Sequence, residues 1–494
     1  MMTFEKRRMH PAAAIVSFVR QLRELLIPFL FFFIFGTRGD SINIYYMIAI
    51  GVGLLFALAI GVFTWLRFYY WVEDGELRIE HGVFVKKKRF IPLERIQTID
   101  TSAGIIQRMF GIVKLQVETA GSGNEAEAVM TAVTKEDAAH LKELLLMKNK
   151  ARETDEEQEV VHLDEHGEVV LQPEKVIEEE QSTYRVTWKD LLIVGSTSGG
   201  VGVVLSGVIA FTTQIEQLLP MERVFNQFGE LLQTSIIFIS TIIFFVLLVS
   251  WIISIGLTML RYGNFHVVKK EDKLIVSRGI IEKKQMTIPL GRIQAVRISQ
   301  NIIRQPFGLA TVYVESAGGS SGEGDTSTIL FPLVKLRDVA GLLSQFTPDY
   351  NLRSNVNGVP KRSFLRYNIK LVVPAVLISG VVSYFFAPYG FISFILIPLA
   401  LLLAFFRYKD AGWYSSEVDL QLSYRVLSKN IVLVKKRRMQ CFDLVESFFQ
   451  RRRKVVTIAT AVKSSWGSKY FKVVDVDKKH GEQLYQWYSY KPKS

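Results

Sequence analysis

Four stretches of this chain carry no charged side chain: Ser41 to Leu66, Leu191 to Ile215, Leu231 to Leu260 and Leu371 to Phe406. Since about 20 apolar residues carry a helix across a bilayer core, the pattern predicts membrane-spanning helices in all four. The last stretch is long enough for two. Ala387-Pro388-Tyr389-Gly390 near its middle is a turn signal, so Ile369 to Ala387 and Phe391 to Phe406 read as spans joined by a hairpin, the first extending back toward Phe364. One more apolar stretch, Leu25 to Thr37, is uncharged over only 13 residues. To cross, it must begin near Ile15 and bring Arg20, Arg23 and Glu24 to the interface, where long side chains reach water. Re-entrant insertion is the alternative. Arg20 and Arg23 also interrupt the apolar core that a secretory signal peptide needs.

Between the spans the period changes from helical to two. Leu77-Arg78-Ile79-Glu80 alternates, Gly82 marks a turn, and Val83-Phe84-Val85 leads through a lysine run into Ile91-Pro92-Leu93. Val113 to Val117 alternates again, a glycine-rich hairpin follows, Val129 to Val133 makes another strand, and Ala138 to Met147 closes the segment as a helix. Proline cannot donate to a ladder, so Pro92 and its counterpart Pro289 are expected at a sheet edge or strand start, where they bend or close a small barrel. Several short strands and one terminal helix predict an α+β domain of pleckstrin-homology type, a small antiparallel barrel or sandwich with a C-terminal helix.

This segment occurs more than once. Ile91-Pro92-Leu93-Glu94-Arg95-Ile96-Gln97 returns as Ile288-Pro289-Leu290-Gly291-Arg292-Ile293-Gln294 at an offset of 197 residues (289 − 92), which also pairs Gly82 with Gly279, Gly111 with Gly308 and Ala120-Gly121 with Ala317-Gly318. The second copy ends in a helix over Lys335 to Phe346. A third, eroded copy has Arg438-Met439-Gln440 in place of Arg-Ile-Gln, then Phe448-Phe449 where Ile105-Ile106 and Ile302-Ile303 stand, and Gln450-Arg451 where Gln107-Arg108 stands. Pro92 and Gly111 become Lys435 and Lys454 in it. Each unit must fold as one piece. The organisation is therefore a span pair at 15–66, a domain at 67–148, an acidic linker at 149–186, a second pair at 187–260, a domain at 261–348, a third pair at 349–406 and a divergent domain at 407–490.

Charge sets the expected orientation. Of the lysines and arginines the predicted outer loops hold only Arg38 and Arg223, whereas Lys6-Arg7-Arg8, Arg67, Arg261 and Arg407 flank the spans on the other side, so both termini and all three domains are expected in the cytoplasm. A multi-pass chain with that bias is basic anyway, which accounts for the net charge of +13 without nucleic acid. The single cysteine, Cys441, excludes an intramolecular disulfide and a Cys-based zinc site. No ionisable residue lies in the middle of a span, which counts against an ion-coupled pump. No hydrolase, zinc-protease or P-loop motif occurs, so no enzyme, cofactor or metal site is expected. Arg152 to Glu180 holds a dozen carboxylates and reads as a linker that either lies across a basic face or is kept from the membrane by repulsion. His162 and His166 within it are four apart, but no third ligand accompanies them. Gly195 and Gly199, continued by Gly202 and Ser206, form a small face for helix packing.

Two helices preceding a domain with Ile-Pro-Leu-x-Arg-Ile-Gln, then Phe-Gly, then Ala-Gly resemble the bacterial pleckstrin-homology-like membrane protein family. The resemblance covers almost the whole chain outside the acidic linker, and implies a bacterial plasma membrane and a pleckstrin-homology-like fold without implying a reaction. The repeat signature is Pro92, Arg95, Gln97 and Gly111, with Pro289, Arg292, Gln294 and Gly308. Its Arg and Gln either form a ligand surface for phosphate or carboxylate or tie one strand to its neighbour. Clustered cations close to a cytoplasmic leaflet gain on the order of 1 kcal/mol each from anionic lipid. Candidate contacts are Lys86, Lys87, Lys88, Arg89, Lys283, Lys284, Lys435, Lys436, Arg437, Arg438, Arg451, Arg452 and Arg453; solvated hairpins are the plainer reading. The expected role is a non-enzymatic membrane scaffold in envelope maintenance or protection against membrane-active peptides, with a transporter component as the alternative. Expected partners are the bilayer, its anionic lipids, and either further copies of the chain or a smaller membrane protein of the same family.

Overall fold

The computed structural model describes residues 4–22, 24, 44–83, 85–119, 127–142, 182–199, 202, 205–206, 236–316, 327–464 and 467–489. The acidic stretch Arg152 to Glu180 with His162 and His166, all of Leu25 to Thr37 and most of the second half of the third predicted span lie outside these residues. The chain divides into two units, the first made of 1–181, 187–266 and 275–287, the second of 182–186, 267–274 and 288–494.

In the first repeat the alternating segments are strands: β1 (Phe4–Arg8), β2 (Tyr69–Glu73), β3 (Glu76–His81), β4 (Lys87–Pro92), β5 (Ile96–Ala103), β6 (Ile112–Thr119) and β7 (Ala128–Thr134). They form two antiparallel sheets, β1-β2-β3-β4 and one built on β5, β6 and β7. The turn between β2 and β3 is short because Asp74 and Gly75 both take positive φ, 55° and 75°, the conformation that matches strand twist in a two-residue hairpin. Alternation sends Tyr70, Val72, Leu77, Ile79 and Ile91 from one sheet and Ile99, Leu115, Val117 and Met130 from the other into one core, closed by Ala138 and Leu141 of the helical segment 135–142. Leu115 and Met130 are fully buried, so truncating either to alanine costs about 2–5 kcal/mol.

The second repeat contributes β8 (Thr183–Arg185), β9 (His266–Lys270), β10 (Lys273–Arg278), β11 (Lys283–Pro289), β12 (Ile293–Gln300), β13 (Leu309–Ser316) and β14 (Thr328–Lys335). The third contributes β15 (Asn357–Gly358), β16 (Gly412–Ser415), β17 (Asp419–Arg425), β18 (Lys429–Lys435), β19 (Met439–Val445), β20 (Val455–Ser464) and β21 (Gly467–Asp477). Sheets β16-β17-β18 and β19-β20-β21 enclose the third core, where Leu420, Leu422, Val432 and Val434 meet Phe442, Ile458, Phe471 and Leu484. The eroded copy therefore keeps the two-sheet plan.

Instead of closing into barrels, the second sheets continue into the next repeat. Strand β5 pairs antiparallel with β11, Lys283 opposite Ala103. Strand β12 pairs in the same way with β18, from Ala295 opposite Val434 to Gln300 opposite Lys429.

The signature proline ends a strand instead of starting one: β4, which lies at the edge of its sheet, stops at Pro92, and β11 stops at Pro289. A single 3-10 turn follows, Leu93–Arg95 in the first repeat, Leu290–Arg292 in the second and Lys436–Arg438 in the third. Its first N–H donates back to a carbonyl at the start of the preceding hairpin, Leu93 to Gly75 at 2.9 Å, Leu290 to Asp272 at 2.7 Å and Lys436 to Val418 at 2.7 Å. Because Lys435 supports the same turn, proline stiffens it but is not required.

The helices are α1 (Ile44–Leu66), α2 (Ile105–Met109), α3 (Trp188–Thr197), α4 (Ile236–Tyr262), α5 (Leu336–Phe346), α6 (Phe364–Phe385), α7 (Leu396–Asp410), α8 (Phe448–Arg452) and α9 (Lys478–Ser489). Among the described residues three helical segments are long and apolar enough to cross a membrane: Ser240–Tyr262, Lys361–Phe385 and Tyr389–Asp410. Helices α3 and α4 meet at Gly195, where an added Cβ would lie 3.0 Å from Cα of Ile255. Gly199 and Gly202 have nothing within 4 Å, so among the described residues Gly195 is the glycine of that small face at this contact. Helices α6 and α7 form the expected hairpin, tied by Ser379 Oγ donating to the Ser393 carbonyl at 2.8 Å and Ser393 Oγ to that of Ser379 at 3.2 Å.

Candidate functional site

After β5, β12 and β19 the chain makes the same short excursion, through α2, through residues 301–308 and through α8. Two of these begin with a glutamine cap: Gln107 Oε1 accepts from the Gly104 N–H at 2.8 Å, and Gln450 Oε1 from the Ser447 N–H at 3.0 Å. Capping satisfies a helix-end donor, which explains why Gln107 and Gln450 recur. The side chains beyond the cap turn outward. Ile105, Met109 and Phe110 are exposed in the first tip, Ile302, Ile303 and Phe307 in the second, and Phe448 and Phe449 in the third, with Met109 at 78% and Phe307 at 71%. Large apolar side chains recur at three equivalent exposed places, each an arrangement that water alone does not favour. Each tip then closes through a left-handed residue, Gly111 at φ 66°, Gly308 at 62° and Lys454 at 51°.

Every tip is fastened to the end of a membrane-length helix. In the first unit Arg108 Nη1 donates to the Ile280 carbonyl at 2.5 Å, and the Ile280 N–H to that of Leu260, in the last turn of α4. In the second unit Arg425 donates through Nη2 to Gln305 Oε1 and through Nε, at 2.5 Å, to Asp410, the last residue of α7. Lys429 adds a second cation to Asp410 at 3.2 Å. For the third tip Gln450 Nε2 donates to Asp475 Oδ1 at 2.8 Å, and Arg366, in the first turn of α6, to the same oxygen at 3.0 Å. Arg362 reaches the Lys454 carbonyl at 2.9 Å. Asp410, Asp475 and Arg425 are buried, so removing one partner strands a buried charge at a cost of about 3–5 kcal/mol. The sequence reading missed these fasteners; an acid directly after the Arg407-Tyr408-Lys409 boundary of a span was the available signal.

The candidate cations divide into two groups. Lys86 and Lys88 each lie 3.4 Å from Glu80, which also binds Lys6 at 3.1 Å. These contacts, led by the Lys6 hydrogen bond, hold the Glu80 carboxyl below its ordinary range against the opposing effect of burial. Lys435 and Arg437 share Asp349 at 3.2 and 3.3 Å, Lys436 donates to the Trp487 carbonyl, Arg438 to that of Gly291, and Lys284 lies 3.6 Å from Glu282. The run 435–438 is thus held by protein partners. Lys87, Arg89, Lys283, Arg451, Arg452 and Arg453 are exposed, with Arg452 stacked over the Phe448 ring at 4.8 Å. The last three cations flank an apolar tip, as an interfacial surface requires.

The Arg-Ile-Gln motif is divided. Arg95 is exposed and Arg292 ends its 3-10 turn, while Gln294 is buried and donates to the Arg292 carbonyl at 3.0 Å. Ile96 and Ile293 fill their cores. The side chain of Gln97 lies outside the described residues. Gln294 thus bonds back into its own 3-10 turn and not to a neighbouring strand.

Beside the second tip the second unit has an open groove of about 1080 Å³ at the end of α7, with Lys335, Arg337, Arg353, Lys409 and Lys429 around the single carboxylate of Asp410. Asp410 is already matched by Arg425 and Lys429, so the remaining field favours an anion. Among the described residues no group of His, Cys, Asp and Glu could hold a metal ion.

Comparison with known proteins agrees with this anatomy. The model of the bacterial PH domain matches three times, at residues 25–149, 219–347 and 369–492. Transmembrane protein YdbT of Bacillus subtilis (strain 168) is 40% identical over 495 aligned positions, covering 99% of each chain.

Proposed function

We propose that this chain, which belongs to the bacterial PH domain family, is a non-enzymatic, multi-pass scaffold of the bacterial plasma membrane whose repeats rest on the inner leaflet through their apolar tips. The observation that carries the reading is the recurrence of one construction: three exposed apolar excursions, each linked through the hydrogen bonds of one intervening residue, Ile280, Arg425 or Asp475, to the end of a membrane-length helix. A side chain fastened there lies at the depth of the headgroups. The exposed cations Arg452 and Arg453 beside the third tip then meet anionic lipid, and the basic groove at the end of α7 offers a place for a headgroup. A scaffold that pins the leaflet at several points would serve envelope maintenance or protection against membrane-active peptides.

The test uses the full chain in vesicles containing anionic lipid. In a Cys441→Ser background, Met109→Cys, Ile303→Cys and Phe449→Cys carry an environment-sensitive fluorophore, and lipids bear a nitroxide at the headgroup or deep in the acyl chain. Strong quenching by the headgroup nitroxide and weak quenching by the deep one are expected at all three positions. No quenching at any of them sinks the reading.

A further inference from the structure

Two repeats extend their second sheet with a strand from the repeat that follows, and they do so in one register. Lys283 lies opposite Ala103 at the first junction and Lys429 opposite Gln300 at the second. Shifting Ala103 by the repeat spacing of 197 (300 − 103) and Lys283 by 146 (429 − 283) converts one pair into the other. The fastening repeats as well: Arg108 meets the carbonyl of Ile280 and Gln305 meets Arg425, in the equivalent hairpin of the following repeat. Register specified twice by the same positions is a property of the repeat, not of one local sequence.

The same operation applied once more leaves two edges without partners. Among the described residues β19, the counterpart of β5 and β12, is hydrogen-bonded only to β20, and β4, the counterpart of β11 and β18, only to β3. Their charges are opposite: β19 carries Asp443 and is followed by Glu446, which Lys478 holds at 3.1 Å, whereas Lys87, Lys88 and Arg89 lie in β4 and Lys86 precedes it. In the shared register Glu446 falls opposite Lys86, Asp443 opposite Arg89, and Phe442 opposite Phe90. Arg451 takes the place of Arg108 and Gln305; its nearest carboxylate, Glu446, is 3.8 Å away. Like edges cannot substitute, since β4 against β4 opposes cation to cation.

We infer that β19 of one chain adds to β4 of a second copy, joining chains head to tail through a heterologous contact. An edge strand left open is a template for pairing, and here the mate is the first repeat of another molecule. Arg451 of the first copy then reaches the Gly82 to Val83 hairpin of the second, as Arg108 reaches Ile280. The inference is independent of lipid contact at the tips.

The test uses full-length chains co-expressed in membranes, both with Cys441→Ser. One carries Lys87→Cys and one epitope tag; the other carries Val445→Cys and a second tag. These positions are opposite in the proposed register and exposed in the free chain. Directly opposed Cβ atoms in such a pair are about 4.5–5.5 Å apart, within disulfide reach. Oxidation is expected to give a dimer carrying both tags, with neither variant forming dimer alone. Adding Asp443→Arg to the Val445→Cys chain should cut the yield at least threefold, and Arg89→Asp in the other chain should restore it. If both chains insert at wild-type levels and no mixed dimer forms, or if the Lys87→Cys chain dimerises alone as well as the mixture does, the inference is overturned. A single-repeat relative occupying the edge would give that negative result.

Discussion

At the residue scale, the three tips show how one backbone conformation survives a change of side chain. Nothing lies within 4 Å of a Cβ built on Gly111 or Gly308, so these glycines answer a demand on φ and not crowding. Lys454 takes the same left-handed turn, at a strain of about 1–2 kcal/mol for a residue with a Cβ. Lys454→Gly is therefore expected to slow amide exchange in β20 by several-fold, and Gly308→Val to accelerate it in β13; unchanged exchange in both would refute the turn argument. His81, stacked on Phe68 at 5.9 Å, has its pKa lowered, first by burial and then by Arg89 and Lys87. The unfolded chain then takes up the proton first, below about pH 6.5. Stability of the first repeat should fall as pH drops through that range, and His81→Gln should flatten the slope in denaturant titrations at pH 7 and pH 5.5. Loss of the Glu80 contribution follows only at lower pH, because its folded carboxyl titrates below the ordinary value.

At the element scale, strands and helices were readable because each has its own period: β3, β6 and β7 coincide with alternating runs, and the α6–α7 hairpin with an uncharged run broken at Pro388. Inter-repeat pairing was not readable, since a ladder uses backbone donors and acceptors that every residue except proline carries. Nor were the fasteners, whose partners lie 15 residues apart at Asp410–Arg425, 109 at Arg366–Asp475 and 172 at Arg108–Ile280. The Asp410–Arg425 pair makes the sharpest case. Arg425→Met leaves Asp410 with Lys429 alone and should destabilise the second unit by about 3–5 kcal/mol, seen as a lower urea midpoint. Converting both members, as Asp410→Leu with Arg425→Met, should recover most of the loss. Equal midpoints for the single and double variants would mean that packing, not charge, sets the cost.

At the scale of the whole molecule, the second unit holds both ends of one helical hairpin. Arg366 at the start of α6 binds Asp475, and Asp410 at the end of α7 binds Arg425. Both helices are long enough to cross, so if the hairpin inserts, both fastened ends stay on one side and the turn at 386–390 reaches the other. Lysine and arginine decide which side. Arg362, Arg366, Lys370, Arg407 and Lys409 crowd the fastened ends while the turn carries no charge, and such a bias retains the basic side in the cytoplasm. With Cys441 replaced by serine, single cysteines at Lys88, Lys284 and Lys436 should stay unlabelled by an impermeant maleimide on intact cells and react after permeabilisation. A cysteine at Tyr389 should label without it. Reaction of any of the three domain positions on intact cells, or failure of the Tyr389 position to react, would reverse the orientation or change the number of spans.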